Sequence, residues 1–314
     1  MIDLAPQPAV NDAARTLGHA PATACAATND AEAQQSTDHG AKPFVKWAGG
    51  KRRLLAQMAP FFPTLQSGAR YFEPFLGGGA VYFHLQPAQA VLSDLNRELI
   101  TAYRVIRDSL AELMADLDGH GEDAAHYYAT RARSVEELSP VEQASRFIYL
   151  NKWCYNGLYR VNSDGIFNVP RGRYSTPRQL YSAANLRAIS RLLAGADLRV
   201  APYQEALSSA QAGDFAYLDP PYAPLSSTAH FTSYTRHDFS QADQRALASA
   251  LHDLDQRGVR FLLNNHNTPE LRQLYEPFHV RVIKARRSIN SRIDRRAGVE
   301  ELVVTNYDPE RPLG

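Results

Sequence analysis

Three consecutive glycines and an aspartate form the first group of residues that could bind a ligand. Gly77-Gly78-Gly79 follows a short apolar segment at 70–75 and precedes a helix-like stretch at 80–85. Glycine lets a ligand approach the backbone closely because no Cβ intervenes. Asp94 ends the next apolar segment, where a carboxylate can accept hydrogen bonds from both hydroxyls of a ribose. The pair predicts a site for an adenosine-containing cofactor, and a simple tight turn is the alternative.

A second motif, Asp219-Pro220-Pro221-Tyr222, follows the apolar segment 215–218. The carboxyl end of such a strand is where α/β sheets bind ligands. Two prolines stiffen the loop and remove two backbone donors, so the loop presents a carboxylate, carbonyl oxygens and an aromatic ring. Oxygen atoms accept from an NH2 group, and the ring can stack on a base. The motif favours a site for a planar amine, and a Pro-Pro turn with a structural tyrosine is the alternative.

The elements around these motifs alternate between strand-like and helix-like patterns. We predict strands over 70–75, 90–93, 198–202, 215–218, 260–264, 280–284 and 301–305, and helices over 80–85, 96–117, 241–256 and 268–275. A strand, a glycine loop, a helix, a strand and an acid, in this order, are typical of the opening of a doubly wound α/β sheet. Because the last two strands have no helix between them, we expect an antiparallel pair at the end of the sheet. Residues 151–177 have no clear period and predict an inserted, loop-rich module.

The composition of the 314-residue chain excludes several classes of protein. Apolar residues make up 44%, and glycine and proline are present in ordinary amounts, which excludes a collagen, a disulfide scaffold and a wholly disordered chain. No run approaches the roughly 18 apolar residues that span a membrane. The two cysteines, Cys25 and Cys154, match neither a disulfide nor a metal motif. We therefore expect a cytoplasmic protein without a metal ion.

Charge is distributed unevenly along a chain whose net charge is only +1. Residues 1–41 contain five acidic residues and one arginine, with few large apolar residues, and we interpret them as a disordered tail. Residues 146–187 contain seven basic residues and one acidic residue, and residues 281–296 contain the same numbers. Such a run can be a solvated face, but two arginine-dominated stretches on a balanced chain favour a nucleic-acid partner.

The motifs resemble a known family. The stretch 72–79 (FEPFLGGG), together with the Asp-Pro-Pro-Tyr loop, resembles the DNA methyltransferases that methylate amino groups and use S-adenosylmethionine. Further similar stretches are 46–51 (KWAGGK), 155–162 (YNGLYRVN), 167–170 (FNVP) and 231–234 (FTSY). Over residues 42–307 the chain resembles the Dam-type DNA adenine methyltransferases, whose target is GATC. One departure is the segment 290–298, which has more arginine and a different length.

The resemblance implies an architecture and partners. It implies a Rossmann-like methyltransferase sheet, in a catalytic domain over 42–314, with a DNA target-recognition insert over about 118–195. The implied cofactor is S-adenosylmethionine, and the implied partner is double-stranded DNA. We expect the enzyme to act as a monomer, with neither a membrane nor a metal as partner.

The family's functional positions fall on particular residues of this sequence. The positions for S-adenosylmethionine correspond to Trp47, Lys51, Glu73, Phe75, Gly77, Gly79, Asp94 and Asp219. The positions that hold the adenine in catalysis correspond to Asp219, Pro220 and Tyr222. The DNA-binding positions correspond to Lys46, Tyr155, Asn156, Leu158, Arg160, Pro170 and Tyr174, and we add Arg173 as a candidate phosphate contact.

The predicted chemistry needs the base outside the duplex. A paired adenine hides its amine, so we expect the enzyme to flip it out, at a cost of a few kcal/mol. Hydrogen bonds from N6 to Asp219 and to the Pro220 carbonyl would then make the N6 lone pair more available. Methylation at cytosine C5 needs a cysteine nucleophile, and Cys154 lacks the Pro-Cys context for it, so we interpret it as a packing residue.

Three other functions stay open. The same loop could methylate adenine in RNA, although the family-like insert argues against it. A DNA-binding regulator without catalysis is a second alternative, against which the intact Asp219, Tyr222, Asp94 and glycine loop argue. A nicotinamide dehydrogenase would need a third glycine, and Gly79 is followed by Ala-Val-Tyr instead. We interpret His266 as structural.

Overall fold

The strands of the protein form one sheet, in an order that differs from their order along the chain. The computed structural model describes residues 40–174, 176, 178–222, 239–285 and 299–310. The strands of these residues are β1 (Tyr71–Glu73), β2 (Ala90–Asp94), β3 (Ala196–Val200), β4 (Phe215–Leu218), β5 (Arg260–His266), β6 (His279–Ala285) and β7 (Val299–Thr305). They lie side by side in the order β3-β2-β1-β4-β5-β7-β6.

Helices connect most of these strands. The α-helices of the described residues are α1 (Leu55–Met58), α2 (Ala80–Leu85), α3 (Arg97–Asp108), α4 (Leu110–Asp118), α5 (Ala124–Ala132), α6 (Pro140–Trp153), α7 (Ala183–Leu193), α8 (Tyr203–Leu207), α9 (Gln241–Gln256) and α10 (Pro269–Leu274). Short 3-10 turns lie at Lys51–Arg53, Ala59–Phe61, Val135–Glu137 and Tyr155–Gly157. None of the helices in the described part of the chain is long and apolar enough to cross a membrane.

The sheet has the doubly wound, Rossmann-like topology expected from the sequence. Strands β1 to β5 pair in parallel, and β7 lies antiparallel between β5 and β6. The antiparallel pair at the end of the sheet is thus confirmed. The chain runs outward from β1 to β3 and then returns to β4 beside β1. The crevice where the strand order reverses is where open α/β sheets bind ligands, at the carboxyl ends of the strands.

Both faces of the sheet are covered, because successive strand residues point to opposite sides. Tyr71 belongs to the hydrophobic core that includes α3, α6 and α7, whereas the adjacent Phe72 belongs to the core that includes α8 and α9. Both side chains are fully buried. The sheet is therefore a buried layer that holds the loops at its carboxyl edge in place.

The predicted helix over 96–117 is wrong as a single element. The chain leaves the helical region at Ser109, with φ −142° and ψ 45°, so that α3 ends and α4 begins there. The turn allows both helices to pack against α6. Apolar spacing continues across the break because α3 and α4 each turn an apolar face to the interior, and the spacing alone does not reveal a break.

The segment 118–195 contains the helices α5, α6 and α7, and the remainder is mostly loops and turns. Helix α6 begins with a capping box, in which Ser139 and Glu142 exchange hydrogen bonds. The predicted loop-rich segment 151–177 begins inside this helix, and isolated β-bridges join Val161 to Phe167 and Cys154 to Arg171 further along. Of the predicted tail, residues 1–39 lie outside the described part, and Ala41 is buried in the core with α3.

Candidate functional site

The glycine loop leaves β1 at the crevice and is braced by the aspartate at the end of β2. The backbone N–H of Gly77 donates to Asp94 Oδ2 at 3.0 Å, and the N–H of Asn96 donates to Asp94 Oδ1 at 2.9 Å. The Tyr103 hydroxyl donates to the Gly77 carbonyl oxygen at 3.1 Å. Burial raises the pKa of Asp94, and the backbone N–H groups oppose this shift. The structure thus brings together the two residues that the sequence pairs, and adds a bracing role for Asp94.

Trp47 lies against the glycine loop. A Cβ on Gly77, whose φ is +48°, would come within 2.7 Å of Trp47 Cδ1, so only glycine fits this close approach. The indole also stacks on Tyr159, with ring centroids 5.6 Å apart. The Tyr159 hydroxyl in turn donates to Glu98 on α3 at 2.9 Å. Trp47 therefore joins the predicted cofactor loop to the segment predicted to read DNA.

Three further predicted cofactor residues lie between the end of β1 and the start of α2. Glu73 is buried at the end of β1 and accepts a hydrogen bond from the Tyr71 hydroxyl at 2.7 Å. Burial raises the pKa of Glu73 to about 8, so the carboxyl is largely protonated at neutral pH and can donate a hydrogen bond. Phe75 packs its ring near Tyr203, at a centroid distance of 5.5 Å. Gly79 immediately precedes α2 as its N-cap, with a φ of +66°.

The Asp-Pro-Pro-Tyr loop leaves β4 and meets a buried lysine. Lys51 Nζ lies 2.8 Å from Asp219 Oδ1 and 3.6 Å from Glu301 Oε2. The same ammonium donates to the Gly49 carbonyl at 3.1 Å and lies 4.8 Å from the centre of the Tyr222 ring. The Lys51 side chain is only 3% exposed, so its charge depends on these partners. Sequence reasoning assigns Lys51 to the cofactor, and the structure also pairs it with Asp219 of the Asp-Pro-Pro-Tyr loop.

Tyr222 contacts two neighbours, one through its hydroxyl and one through its ring. Its hydroxyl donates to Glu301 Oε2 at 2.9 Å, and its ring lies against the His266 ring, with centroids 4.1 Å apart. His266 ends β5, and Glu301 pairs with it on β7. Sequence reasoning misses Glu301 and interprets His266 only as structural. The available signal was an acidic pair, Glu300-Glu301, at the start of a strand that is otherwise apolar.

The electrostatics of this cluster suit a hydrogen-bond acceptor. Burial raises the pKa of Asp219 to about 6, and the charge of Glu301 adds to the shift, whereas Lys51 opposes it. Asp219 is therefore mostly ionised at neutral pH. Burial and the nearby Asp219 hold the pKa of Tyr222 well above its usual value, so its hydroxyl stays a donor. The loop thus presents one carboxylate and one neutral phenol ring to the crevice.

The predicted DNA-binding residues begin with Lys46, which a buried amide fixes to α6. Asn151 Oδ1 accepts from the Lys46 N–H and Asn151 Nδ2 donates to the Lys46 carbonyl, both at 2.8 Å. The Lys46 side chain runs across Gly157, where a Cβ would come within 2.5 Å of Lys46 Cδ. Burial and the charge of Arg178 lower the pKa of Lys46. The arrangement explains why a glycine with φ +67° follows Tyr155 and Asn156.

A surface cavity of about 580 Å³ collects five of the predicted DNA-binding residues. They are Tyr155, Asn156, Pro170, Arg173 and Tyr174, and the remaining lining residues are Tyr128, Arg171 and Gly172. Tyr155 is 54% exposed at the rim, and Asn156 has a φ of +56°. An exposed aromatic ring beside arginines is the composition of a surface that stacks on bases and binds phosphate.

Leu158 and Arg160 do not line this cavity. Arg160 is exposed and its Nε donates to Asn168 Oδ1 at 2.8 Å, across the hairpin closed by Val161 and Phe167. The N–H of Asn168 in turn donates to the Arg160 carbonyl at 3.1 Å. The hairpin therefore fixes the arginine by its Nε.

Only some of the basic residues in the stretch 146–187 lie on the surface. Arg146 is 1% exposed and pairs with Glu98 at 2.9 Å, which is an interior role that corrects its assignment to a nucleic-acid face. Its buried position follows from the inward face of α6. Arg178 lies on the Tyr174 ring at 3.9 Å, and Arg171 lies on the Trp153 ring. In the other basic stretch, residues 286–296 lie outside the described residues, as do 231–234 and 290–298.

Two further observations concern the remaining chemistry. Cys154 is buried, and burial raises the pKa of its thiol to about 12, so it stays protonated and packs as a small apolar side chain. Cys25 lies outside the described residues. Within the ranges that the structure describes, no three His, Cys, Asp or Glu side chains are grouped so as to hold a metal ion.

The contact between Gly157 and Lys46 gives a first testable prediction. Gly157→Ala places a Cβ at a left-handed φ, which costs roughly 1–2 kcal/mol of unfolding free energy, and also pushes Lys46 aside. Gly213→Ala is the matched control, since Gly213 has φ +89° and open space around its Cβ position. We expect similar losses of stability in urea denaturation, but weaker DNA binding, by about fivefold or more, only for Gly157→Ala. If the two variants bind DNA with equal affinity, the contact between Gly157 and Lys46 does not contribute to DNA binding.

The chain is similar to known DNA methyltransferases. The family model of D12 class N6 adenine-specific DNA methyltransferases matches residues 47–289. The chain is 39% identical over 274 residues to the Type II methyltransferase M1.LlaDCHI of Lactococcus lactis subsp. cremoris, covering 85% of this chain and 95% of the relative. It is 38% identical over 287 residues to the Type II methyltransferase M.MjaIII of Methanocaldococcus jannaschii, covering 85% and 99%.

A third relative carries the name that the sequence motifs suggest. The chain is 35% identical over 272 residues to the DNA adenine methylase of Escherichia coli K12, covering 85% of this chain and 96% of the relative. The matches span nearly the whole length of each relative and include both motif loops. The chain therefore belongs to the D12 class of N6 adenine-specific DNA methyltransferases, which are S-adenosylmethionine-dependent enzymes.

Proposed function

We propose that this enzyme transfers a methyl group from S-adenosylmethionine to adenine N6 within GATC in double-stranded DNA, after flipping the adenine into the Asp-Pro-Pro-Tyr loop. The observation that carries the proposal is the cluster of Lys51, Asp219 and Tyr222 at the crevice between β1 and β4. GATC itself rests on the resemblance of the motifs to the Dam-type enzymes.

The crevice fits the proposed cofactor. Trp47 occupies the space beside Gly77, and the Asp94 carboxylate oxygens, which already accept one N–H each, keep lone pairs for ribose hydroxyls. Glu73, Phe75, Trp47 and Gly79 surround this loop and would complete the pocket. When bound, S-adenosylmethionine supplies an electrophilic methyl group on a positively charged sulfur.

The chain's own residues would prepare the amine. Asp219 accepts one N6–H hydrogen bond and the Pro220 carbonyl accepts the other, which draws the N6 lone pair out of conjugation with the ring. Tyr222 stacks on the base and fixes its plane. The N6 lone pair would then take up the methyl group that bound S-adenosylmethionine supplies, and the electrons of the C–S bond would stay on sulfur. The nitrogen loses one proton, for which the Asp219 carboxylate is the acceptor we propose. Much of the acceleration comes from this positioning.

DNA would lie across the cavity that contains Tyr155. A flipped base leaves a gap in the stack, and an exposed aromatic ring such as Tyr155 can fill it. Asn156 and Arg160 are the side-chain types that pair with adenine and guanine edges, and Leu158 and Pro170 offer apolar contacts to a thymine methyl group. Lys46, Arg173 and Tyr174 would contact the same segment of duplex.

Mapping methylated positions tests the proposal. The protein is produced in a host whose own DNA lacks N6-methyladenine, and the DNA is sequenced by a method that reports modified bases. We expect N6-methyladenine in GATC on both strands. Methylation in another sequence would contradict the GATC assignment alone. Labelled methyl groups in RNA and none in DNA would contradict the proposed substrate.

The tail gives a second prediction. Deleting residues 1–39 removes an acidic, apolar-poor segment and leaves Ala41 and the rest of the buried core in place. We expect the methylation rate to stay within about threefold of the full chain, which is less than 1 kcal/mol in activation free energy. If the truncated protein is inactive or unfolded, the tail is part of the fold and the prediction is wrong. Light scattering on both proteins tests the predicted monomer.

A further inference from the structure

Glu301 is a buried acid beside the catalytic loop, on the strand that runs against the direction of the others. It lies on β7, pairs with His266 at the end of β5, and is only 8% exposed. The antiparallel direction of β7 brings a residue from the start of this strand to the edge where β1, β4 and β5 end. A side chain from the C-terminal part of the chain thereby reaches the site formed by Lys51 and Asp219.

One carboxylate oxygen of Glu301 faces two residues of the site. Its Oε2 accepts the Tyr222 hydroxyl at 2.9 Å and lies 3.6 Å from Lys51 Nζ. Lys51 Nζ in turn lies 2.8 Å from Asp219 Oδ1. Two carboxylates thus share one buried ammonium, and removing either carboxylate changes where that ammonium sits.

This arrangement of charges lowers the stability of the folded protein, so stability does not explain it. A buried carboxylate is stabilised only when it is paired and hydrogen-bonded, and two carboxylates with one ammonium leave an excess negative charge. The excess suits the proposed reaction, because the adenine amine becomes positive as it reacts. The hydroxyl of Tyr222 has a fixed acceptor in Glu301, and its ring lies against the tilted His266 ring, so two contacts orient the Tyr222 ring.

We propose that Glu301 is a positioning residue for methyl transfer, which orients the Tyr222 ring and the Lys51 ammonium that act on the adenine and on Asp219. This inference rests on the proposed function. Glu301 itself touches neither the base nor the cofactor in this proposal. Its loss should therefore slow the chemical step and leave the binding of both ligands nearly unchanged.

The test compares Glu301→Ala with Glu300→Ala in the full-length protein. Glu300 is the neighbouring exposed acid, whose carboxylate accepts from Asn267 Nδ2 at 2.6 Å on the other face of the strand. We expect Glu301→Ala to reduce the single-turnover methylation rate by at least tenfold, and Glu300→Ala to stay within twofold. The dissociation constants for S-adenosylmethionine and for DNA should stay within about threefold of wild type in both variants.

A double-mutant cycle with Tyr222→Phe separates positioning from a general structural role. If Glu301 acts through the Tyr222 hydroxyl, Glu301→Ala should slow Tyr222→Phe by clearly less than it slows the wild type. Glu301→Gln, which keeps an oxygen acceptor, should retain more activity than Glu301→Ala even if the alanine variant is less stable. A Glu301→Ala rate within threefold of wild type, fully additive losses in the cycle, or a loss accounted for by weaker ligand binding would each overturn the inference. An inactive wild type would instead contradict the proposed function.

Discussion

Replacing Asp219 with alanine is expected to slow methyl transfer by about a hundredfold or more and to leave DNA affinity within a few-fold. The carboxylate follows the end of β4, pairs with Lys51 at 2.8 Å, and does not line the Tyr155 cavity that we expect to face DNA. Its loss removes a charge-assisted acceptor from the proposed N6 amine. Single-turnover methylation and fluorescence anisotropy with labelled duplex measure the two quantities.

A second ion pair, at the opposite end of β4, provides the control. Asp214 precedes β4 at its other end and pairs with Arg70 at 2.7 Å. Asp214→Asn weakens an ion pair as Asp219→Asn does, but at the edge of the sheet opposite the site. We expect both substitutions to reduce the free energy of unfolding, and only Asp219→Asn to reduce the rate of the folded enzyme. Near-normal turnover by Asp219→Asn would show that methyl transfer does not need the negative charge of Asp219.

The same carboxylate predicts the acidic limb of the pH profile. Its pKa lies at about 6, since burial and Glu301 raise it and Lys51 opposes the shift. The ionised form accepts the hydrogen bond, so activity should be present above pH 6 and should fall as pH decreases through that value, with a slope of one proton. Single-turnover rates between pH 5 and 8 measure this, and a flat profile in that range would contradict the assignment.

The sequence predicts those parts of the site that are encoded by short, contiguous motifs. The glycine loop, Asp94 and the Asp-Pro-Pro-Tyr motif follow predicted strands, and parallel strands place their carboxyl ends at one edge. Their convergence therefore follows from topology alone. Glu301 could not be found in this way, because its strand is antiparallel and its position depends on β7 entering between β5 and β6. No local sequence pattern indicates that β7 pairs with β5.

Charge patterns carried less information than loop motifs. Arg146 belongs to a basic stretch, yet it is buried and paired with Glu98, which is 48 positions away in the sequence. A charge count along the chain does not distinguish an interior ion pair from a surface. The break at Ser109 is similar: apolar spacing continues across it, and only the packing of both helices on α6 separates them. Long-range packing decided both cases.

Replacing Arg160 with alanine is expected to relax sequence selectivity at one base pair of the target, with roughly 1–3 kcal/mol less discrimination. Its Nε–H is used by Asn168 at 2.8 Å, so a two-pronged contact to guanine O6 and N7 would fall to the two Nη groups. The hairpin holds the guanidinium in advance, which reduces the entropy lost on binding. The salt dependence of DNA binding should change little, since a base contact displaces no counterion.

Arg173→Ala provides the comparison, because Arg173 lies in the cavity beside Tyr155 and Tyr174 rather than on the hairpin. If it contacts phosphate, its loss should weaken all sequences alike and reduce the slope of log affinity against log salt by about one. Methylation rates on GATC and on each single-base variant, at two salt concentrations, separate the two roles. Equal loss on every substrate for Arg160→Ala would make Arg160 a backbone contact. Sequence reading would then fall to the residues around the cavity, with Asn156 as the first to be substituted.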